Sequence, residues 1–92
     1  MDLSSDAFLR AKILFRLARK RKWGHSHTAF DNLKMGFKPR EHGKVKELAE
    51  TLIKEGLILR KPTGYGLHVS LNHERAQEIK QIIKNMLGRL IE

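Results

Sequence analysis

The sequence predicts an α+β domain, mostly α: a three-helix core, a two-stranded β hairpin and one extra C-terminal helix. Three observations carry this reading. In residues 38–72, KPREHGKVKELAETLIKEGLILRKPTGYGLHVSLN, the apolar residues Val45, Leu48, Ala49, Leu52 and Ile53 recur at helical spacing. Immediately after Gly56 the period changes from 3.6 to 2, with Leu57 and Leu59 alternating with Ile58 and Arg60, and Leu67, Val69 and Leu71 alternating with His68 and Ser70. The flanking segments 6–22 and 73–91 return to helical periodicity.

In chain order, Ser4 or Ser5 can cap a first helix running from Asp6 to Lys22. Its stripe of Ala7, Phe8, Ala11, Leu14, Phe15 and Ala18 is widened by Leu9, Ile13 and Leu17, so the helix should be packed on two sides. Trp23-Gly24 closes it. Ser26 is placed to cap a second helix, His27 to Met35, with Ala29, Phe30 and Leu33 inward, Gly36 as its end and Phe37 folded back on the core. Lys38-Pro39-Arg40 turns into the third helix, whose proline suits a first turn and whose end falls at Gly56. Helices joined by so few residues have the spacing of a helix-turn-helix. The cluster Pro62-Thr63-Gly64-Tyr65-Gly66 turns the hairpin. Asn72 then caps a fourth helix, His73 to Ile91, in which Ala76, Ile79, Ile83, Met86 and Leu90 step by 3 and 4. We therefore expect one domain over residues 1–92, with a core and hairpin at 6–72 and a C-terminal helix at 73–91. That helix is read as a homodimer seam through Ile79, Ile83, Met86 and Leu90. A terminal helix packed on its own chain is the plainer alternative.

The chain carries no cysteine, which removes disulfides and thiolate metal sites, and no apolar run long enough for a membrane span. A cytoplasmic, nucleoid-associated protein is the expectation. The net charge of +9 is unevenly spread: residues 1–46 hold 12 Lys/Arg against 4 Asp/Glu, residues 47–92 hold 7 against 6. One side should face a polyanion, nucleic acid foremost. Arg40, Lys44 and Lys46, with Lys38 ahead of them, gather at the positive end of a helix, where backbone amides also favour phosphate. Gly43 in that turn either admits backbone close to DNA or marks a late helix start. The run Arg19-Lys20-Arg21-Lys22 offsets a helix C-terminus and is also placed to touch phosphate.

The order helix, helix, tight turn, helix, hairpin, helix resembles the winged helix-turn-helix family of DNA-binding domains. The resemblance rests on Leu48, on Leu52-Ile53-Lys54-Glu55-Gly56-Leu57-Ile58, on Arg60-Lys61, on Gly64-Tyr65-Gly66-Leu67 and on Val69. It is narrower for small archaeal transcription regulators, to which the long fourth helix is also similar. The family implies a third helix in the major groove and a wing on flanking phosphate or minor groove. By position, that makes Lys38, Arg40, His42, Lys44, Glu47 and Thr51 groove-reading candidates, and Arg60, Lys61, Thr63 and Tyr65 wing candidates. One departure stands out. With the apolar stripe inward, Glu47 and Glu50 point toward DNA, where they repel phosphate even though a glutamate accepts from a cytosine amino group.

Simpler roles sit beside these. Thr63-Gly64-Tyr65-Gly66 serves equally as a plain turn with Tyr65 over the sheet edge. His25-x-His27 is the tightest histidine pair, yet no Cys or carboxylate stands at ligand spacing, so no metal is assigned. No nucleophile–base–orienter set and no glycine-rich phosphate loop emerge, so no catalytic residue, cofactor or small-molecule substrate is assigned. The expected partner is double-stranded DNA, bound as a transcription regulator. The rivals are an adaptor that binds protein through its outward glutamates, and an RNA binder that stacks bases on Trp23, Phe37 and Tyr65.

Overall fold

α1, Asp6–Arg19, starts where the Ser5 hydroxyl accepts the Phe8 amide at 3.1 Å, which satisfies one of the amides a helix start leaves open. These elements come from a computed structural model that describes residues 5–88, so Ser4 lies outside the described residues. The helix stops before the expected Lys22 because Arg21 takes left-handed backbone (φ 58). The amides of Arg21 and Lys22 then close back on the carbonyls of Ala18 and Leu17, each at 2.9 Å. Such a closure satisfies orphan carbonyls at a helix end. Beyond it, the Lys22 carbonyl accepts the Leu71 amide at 2.7 Å and ties the end of α1 to the sheet.

The second helix is where expectation and structure part. In place of an α-helix over His27–Met35, Thr28–Ala29 form a short strand, β1, and Phe30–Lys34 form a 3-10 helix. Ser26 does not act as the helix cap; the position before Phe30 is Ala29, without a side-chain cap bond. The reason is competition. A segment this short gains little as an uncapped helix, whereas its backbone can pair with an open sheet edge. The inward residues hold in part: Leu33 is buried, and Ala29 and Phe30 are half-buried.

Pro39–Glu41 make a 3-10 turn that leads into α2, His42–Lys54, whose Val45, Leu48, Ala49 and Leu52 are buried as the periodicity requires. Gly56 (φ 81) ends it, with the Leu57 amide on the Leu52 carbonyl at 3.1 Å. Two residues from beyond the hairpin also hold this corner. Asn72 Nδ2 donates to the Gly56 carbonyl at 2.8 Å, and Arg75 Nη1 donates to the Glu55 carbonyl at 3.1 Å.

β2, Ile58–Thr63, and β3, Gly66–Leu71, are the expected hairpin, in register from Ile58–Leu71 to Thr63–Gly66. β1 adds a third antiparallel strand on the other side of β3, with Thr28 opposite Val69 and Ala29 opposite His68. Asn72 caps the last helical stretch by accepting the Glu74 amide at 3.1 Å. A 3-10 turn, His73–Arg75, leads into α3, Ala76–Leu87, which closes at Gly88 (φ 65). The expected continuation to Ile91 lies outside the described residues.

α1 packs against α2, α3 and β3, and the broad apolar stripe that the sequence gives it is what lets it do so. This corrects the dimer seam. Ile79 and Ile83 are 0% exposed within the single chain, in one cluster with Ile13, Leu14, Leu17, Leu52 and Leu71. They therefore have no surface left for a partner helix. Met86 is half-buried at the rim, and Leu90 is outside the described residues. Among the described residues no helix is long and apolar enough to cross a membrane.

Candidate nucleic-acid interface

The cationic start of α2 is built on Phe37. That ring is 6% exposed, and Lys12 and Arg16 of α1 lie over it, at 5.0 and 5.8 Å from its centroid. Gly36 (φ 87) precedes it; its left-handed backbone favours glycine, and a Cβ there would meet the flexible end of the Arg16 side chain. Lys38 follows, exposed, its amide donating to Glu41 Oε1 at 3.2 Å. Arg40 is exposed on the 3-10 turn.

His42 has an internal contact. It is half-buried, and its Nε2 lies 3.0 Å from the Phe37 carbonyl, which can only accept, so the ring donates there and pins the turn. Thr51 also bonds internally: its hydroxyl donates to the Glu47 carbonyl one helical turn back, at 3.2 Å, which uses its proton inside the helix. Gly43 is exposed, and a Cβ there would meet nothing within 4 Å. Lys44 and Lys46 are exposed, Lys44 lying 3.8 Å from both Asp6 and Glu47. Pairs so exposed stabilise by about 0–1 kcal/mol, leaving the lysine able to exchange partners. At 100° per residue, Gly43, Glu47, Glu50 and Lys54 fall along the outermost line of α2, with Lys44 and Lys46 beside it. Glu47 and Glu50 are exposed, so the outward face of the helix is of mixed charge.

The hairpin turn is shaped by Thr63, whose hydroxyl donates to the Gly66 carbonyl at 2.9 Å and accepts the Tyr65 amide at 3.0 Å. Thr63 thus helps to form the turn. Tyr65 is 97% exposed at the tip, so it does not cover the sheet edge. Arg60 is exposed; Lys61 is half-buried opposite His68. On α1, Arg19, Lys20 and Arg21 are exposed and Lys22 is half-buried at the junction with β3.

Sequence reading overlooked Lys12 and Arg16. Their signal was present, since 12, 16 and 20 put cations one turn apart on the outer side of α1. It also overlooked a histidine contact: His27 and His68 meet Nδ1 to Nδ1 at 2.9 Å, one ring donating to the other. This bond fastens the approach to β1 onto β3. Trp23 stands edge-on to His73 at 6.2 Å. Among the described residues no three His, Cys, Asp or Glu gather as metal ligands. Comparison of the chain with protein-family models, curated proteins and solved structures finds no match.

Proposed function

We propose that this chain is a winged helix-turn-helix protein that binds double-stranded DNA and regulates transcription. In this reading the start of α2 enters the major groove and the β2–β3 hairpin is the wing. The observation that carries the reading is the tip of that hairpin. Tyr65, 97% exposed, stands beyond Arg60 and Lys61 on a hairpin that directly follows a helix with a cationic start. A ring so exposed beside two cations is placed to stack or insert where the hairpin would meet nucleic acid. With Ile79 and Ile83 buried inside one chain, a second chain would meet this one through other residues. A gel shift against duplex DNA, single-stranded DNA and RNA tests the proposal, with preferential retention of duplex as the expected result.

The adaptor reading keeps one specific observation, the exposed Glu47 and Glu50 on the outer line of α2. The mixed face therefore favours contact through the first turns of α2 over deep insertion of the whole helix. The RNA reading weakens: Phe37 is buried and Trp23 is half-buried, which leaves Tyr65 as the exposed stacking ring of the three.

Reading and gripping should separate by mutation. Arg40→Ala is expected to lower the preference for a specific site by about 1–3 kcal/mol if the guanidinium makes a bidentate base contact. Lys61→Ala should weaken all duplexes alike and flatten the salt slope by about one unit. Identical behaviour of the two variants on specific and random DNA would refute this division of roles. Gly43→Ala probes backbone approach. The site is helical, exposed and sterically open, so the variant should gain about 0.5–1 kcal/mol in stability, read as a raised Tm. Its duplex affinity should nonetheless fall, because the methyl stands between backbone and phosphate. Unchanged affinity would mean that Gly43 is only a feature of the helix start.

A further inference from the structure

His27 and His68 meet on the side of the sheet where β1 joins β3. Their Nδ1 atoms lie 2.9 Å apart, with ring centroids at 4.9 Å and planes crossed at 76°. Thr28 pairs with Val69 and Ala29 with His68, so the register makes His27 and His68 diagonal neighbours on one face. Two nitrogens bonded to one metal ion at about 2.0–2.1 Å, at an angle of about 90–110°, stand about 2.8–3.4 Å apart. The observed spacing falls in that range. Ser70 supplies a second observation. It lies two residues beyond His68, on the same side of β3, and one further step of the register sets it against His27. Ser70 is 0% exposed, and its hydroxyl has no hydrogen-bond partner among the described residues. A buried hydroxyl so placed calls for a polar partner, which a metal-bound water supplies.

We propose that His27 and His68 hold a divalent transition-metal ion through their two Nδ1 atoms, zinc, nickel and copper being the ions that imidazole suits. The ring that donates in the hydrogen bond shifts its proton to Nε2. Both Nδ1 lone pairs then face the ion, and neither ring changes its charge. Water completes the coordination, since no third His, Cys, Asp or Glu joins the pair among the described residues. Lys61, opposite His68 across β2 and β3, sets a cation on the same face. That disfavours magnesium and calcium, which need oxygen ligands and negative charge. A plain hydrogen bond fastening β1 to β3 explains the distance equally well, but it leaves the Ser70 hydroxyl unaccounted for. Metal binding would clip the segment that leads into the 3-10 helix onto β3, where β1 itself is only two residues long. The inference goes beyond the DNA-binding proposal and stands without it.

The test titrates the full chain with Zn²⁺ by calorimetry, with Mg²⁺ as the control. Zn²⁺ should bind saturably at one ion per chain, and Mg²⁺ should not bind. His27→Gln and His68→Gln should each weaken Zn²⁺ binding about tenfold or more, because one imidazole is left without its chelating partner. His25→Gln should bind as the wild type does. The two rings meet only when β1 is docked on β3, so Zn²⁺ should raise the Tm of the wild type and not that of His68→Gln. Nitrogen NMR on the wild type makes the test independent of how the variants fold: the Nδ1 resonances of both His27 and His68 should shift on Zn²⁺ addition. Absence of saturable binding overturns the proposal, as does undiminished binding by a folded His68→Gln. Shifts at His25 and His27 without His68 would assign the ion to the local His25-x-His27 pair instead. A wild-type Tm indifferent to Zn²⁺ would leave only the hydrogen bond. No nucleic acid enters the titration, so failure here is distinguishable from failure of the DNA-binding proposal.

Discussion

Replacing Ile83 by aspartate is expected to unfold the chain, with loss of the helical circular dichroism signal, and not to convert a dimer into folded monomers. Ile83 is 0% exposed, as is Ile79 one turn earlier on the same face of α3. Removing the side chain forfeits about 1.5–3 kcal/mol of apolar burial. Placing an unpaired carboxylate there adds several kcal/mol more, unless it takes up a proton. Together these approach the roughly 5–15 kcal/mol that holds a domain of this kind folded. Ile83→Val, which only trims a methyl, should cost about 0.5–1.5 kcal/mol and stay folded. Sedimentation completes the experiment. A dimeric wild type and a folded, monomeric Ile83→Asp would restore the seam to an intermolecular role and contradict the burial reported above.

The second large effect is expected in salt. Lys38, Arg40, Lys44 and Lys46 at the start of α2, with Arg60 and Lys61 on the hairpin, give six cations, all exposed except the half-buried Lys61. If each neutralises one phosphate, log affinity for duplex DNA falls with log salt at a slope of about −5. Between 50 and 200 mM salt the loss is then about a thousandfold. Titrations at several salt concentrations on random duplex measure the slope directly. Affinity that is indifferent to salt, or absent even at low salt, would favour the adaptor reading, in which Glu47 and Glu50 face a protein. A slope of about −3.6 would mean that only the helix start touches DNA, and one of about −1.8 that only the hairpin does.

The candidate interface was legible in the sequence as a set of residue types and less so as a set of roles. The crowding of Lys38, Arg40, Lys44 and Lys46 onto one helix start needed only local spacing, and their exposure matches it. His42, Thr51 and Thr63 also have internal uses, which residue type and position alone do not disclose. One donates to a carbonyl five residues back, one to a carbonyl a turn back, and one bridges its own hairpin turn. Any polar side chain near a helix start or a turn can be taken up by backbone in this way. Lys12 and Arg16 were overlooked for the opposite reason. Their place over Phe37 joins α1 to a turn more than twenty residues away, and no local pattern indicates that.

By itself the sequence determined the element types: the amphipathic stripes of α1, α2 and α3, the alternation of β2 and β3, the glycine after α2 and the asparagine cap before α3. These depend on residues a few positions apart, where spacing of 3.6 or 2 decides which side chains share a face. Tertiary structure alone decided what each face meets. It turned the segment after Trp23 into β1, because the open edge of β3 offered backbone partners that a short uncapped helix could not match. It also closed α3 onto α1, so that the stripe of Ile79 and Ile83, whose 3-4 spacing suits a partner helix equally well, is covered within one chain. An apolar stripe specifies that it must be covered; which surface covers it depends on the packing of segments distant in sequence.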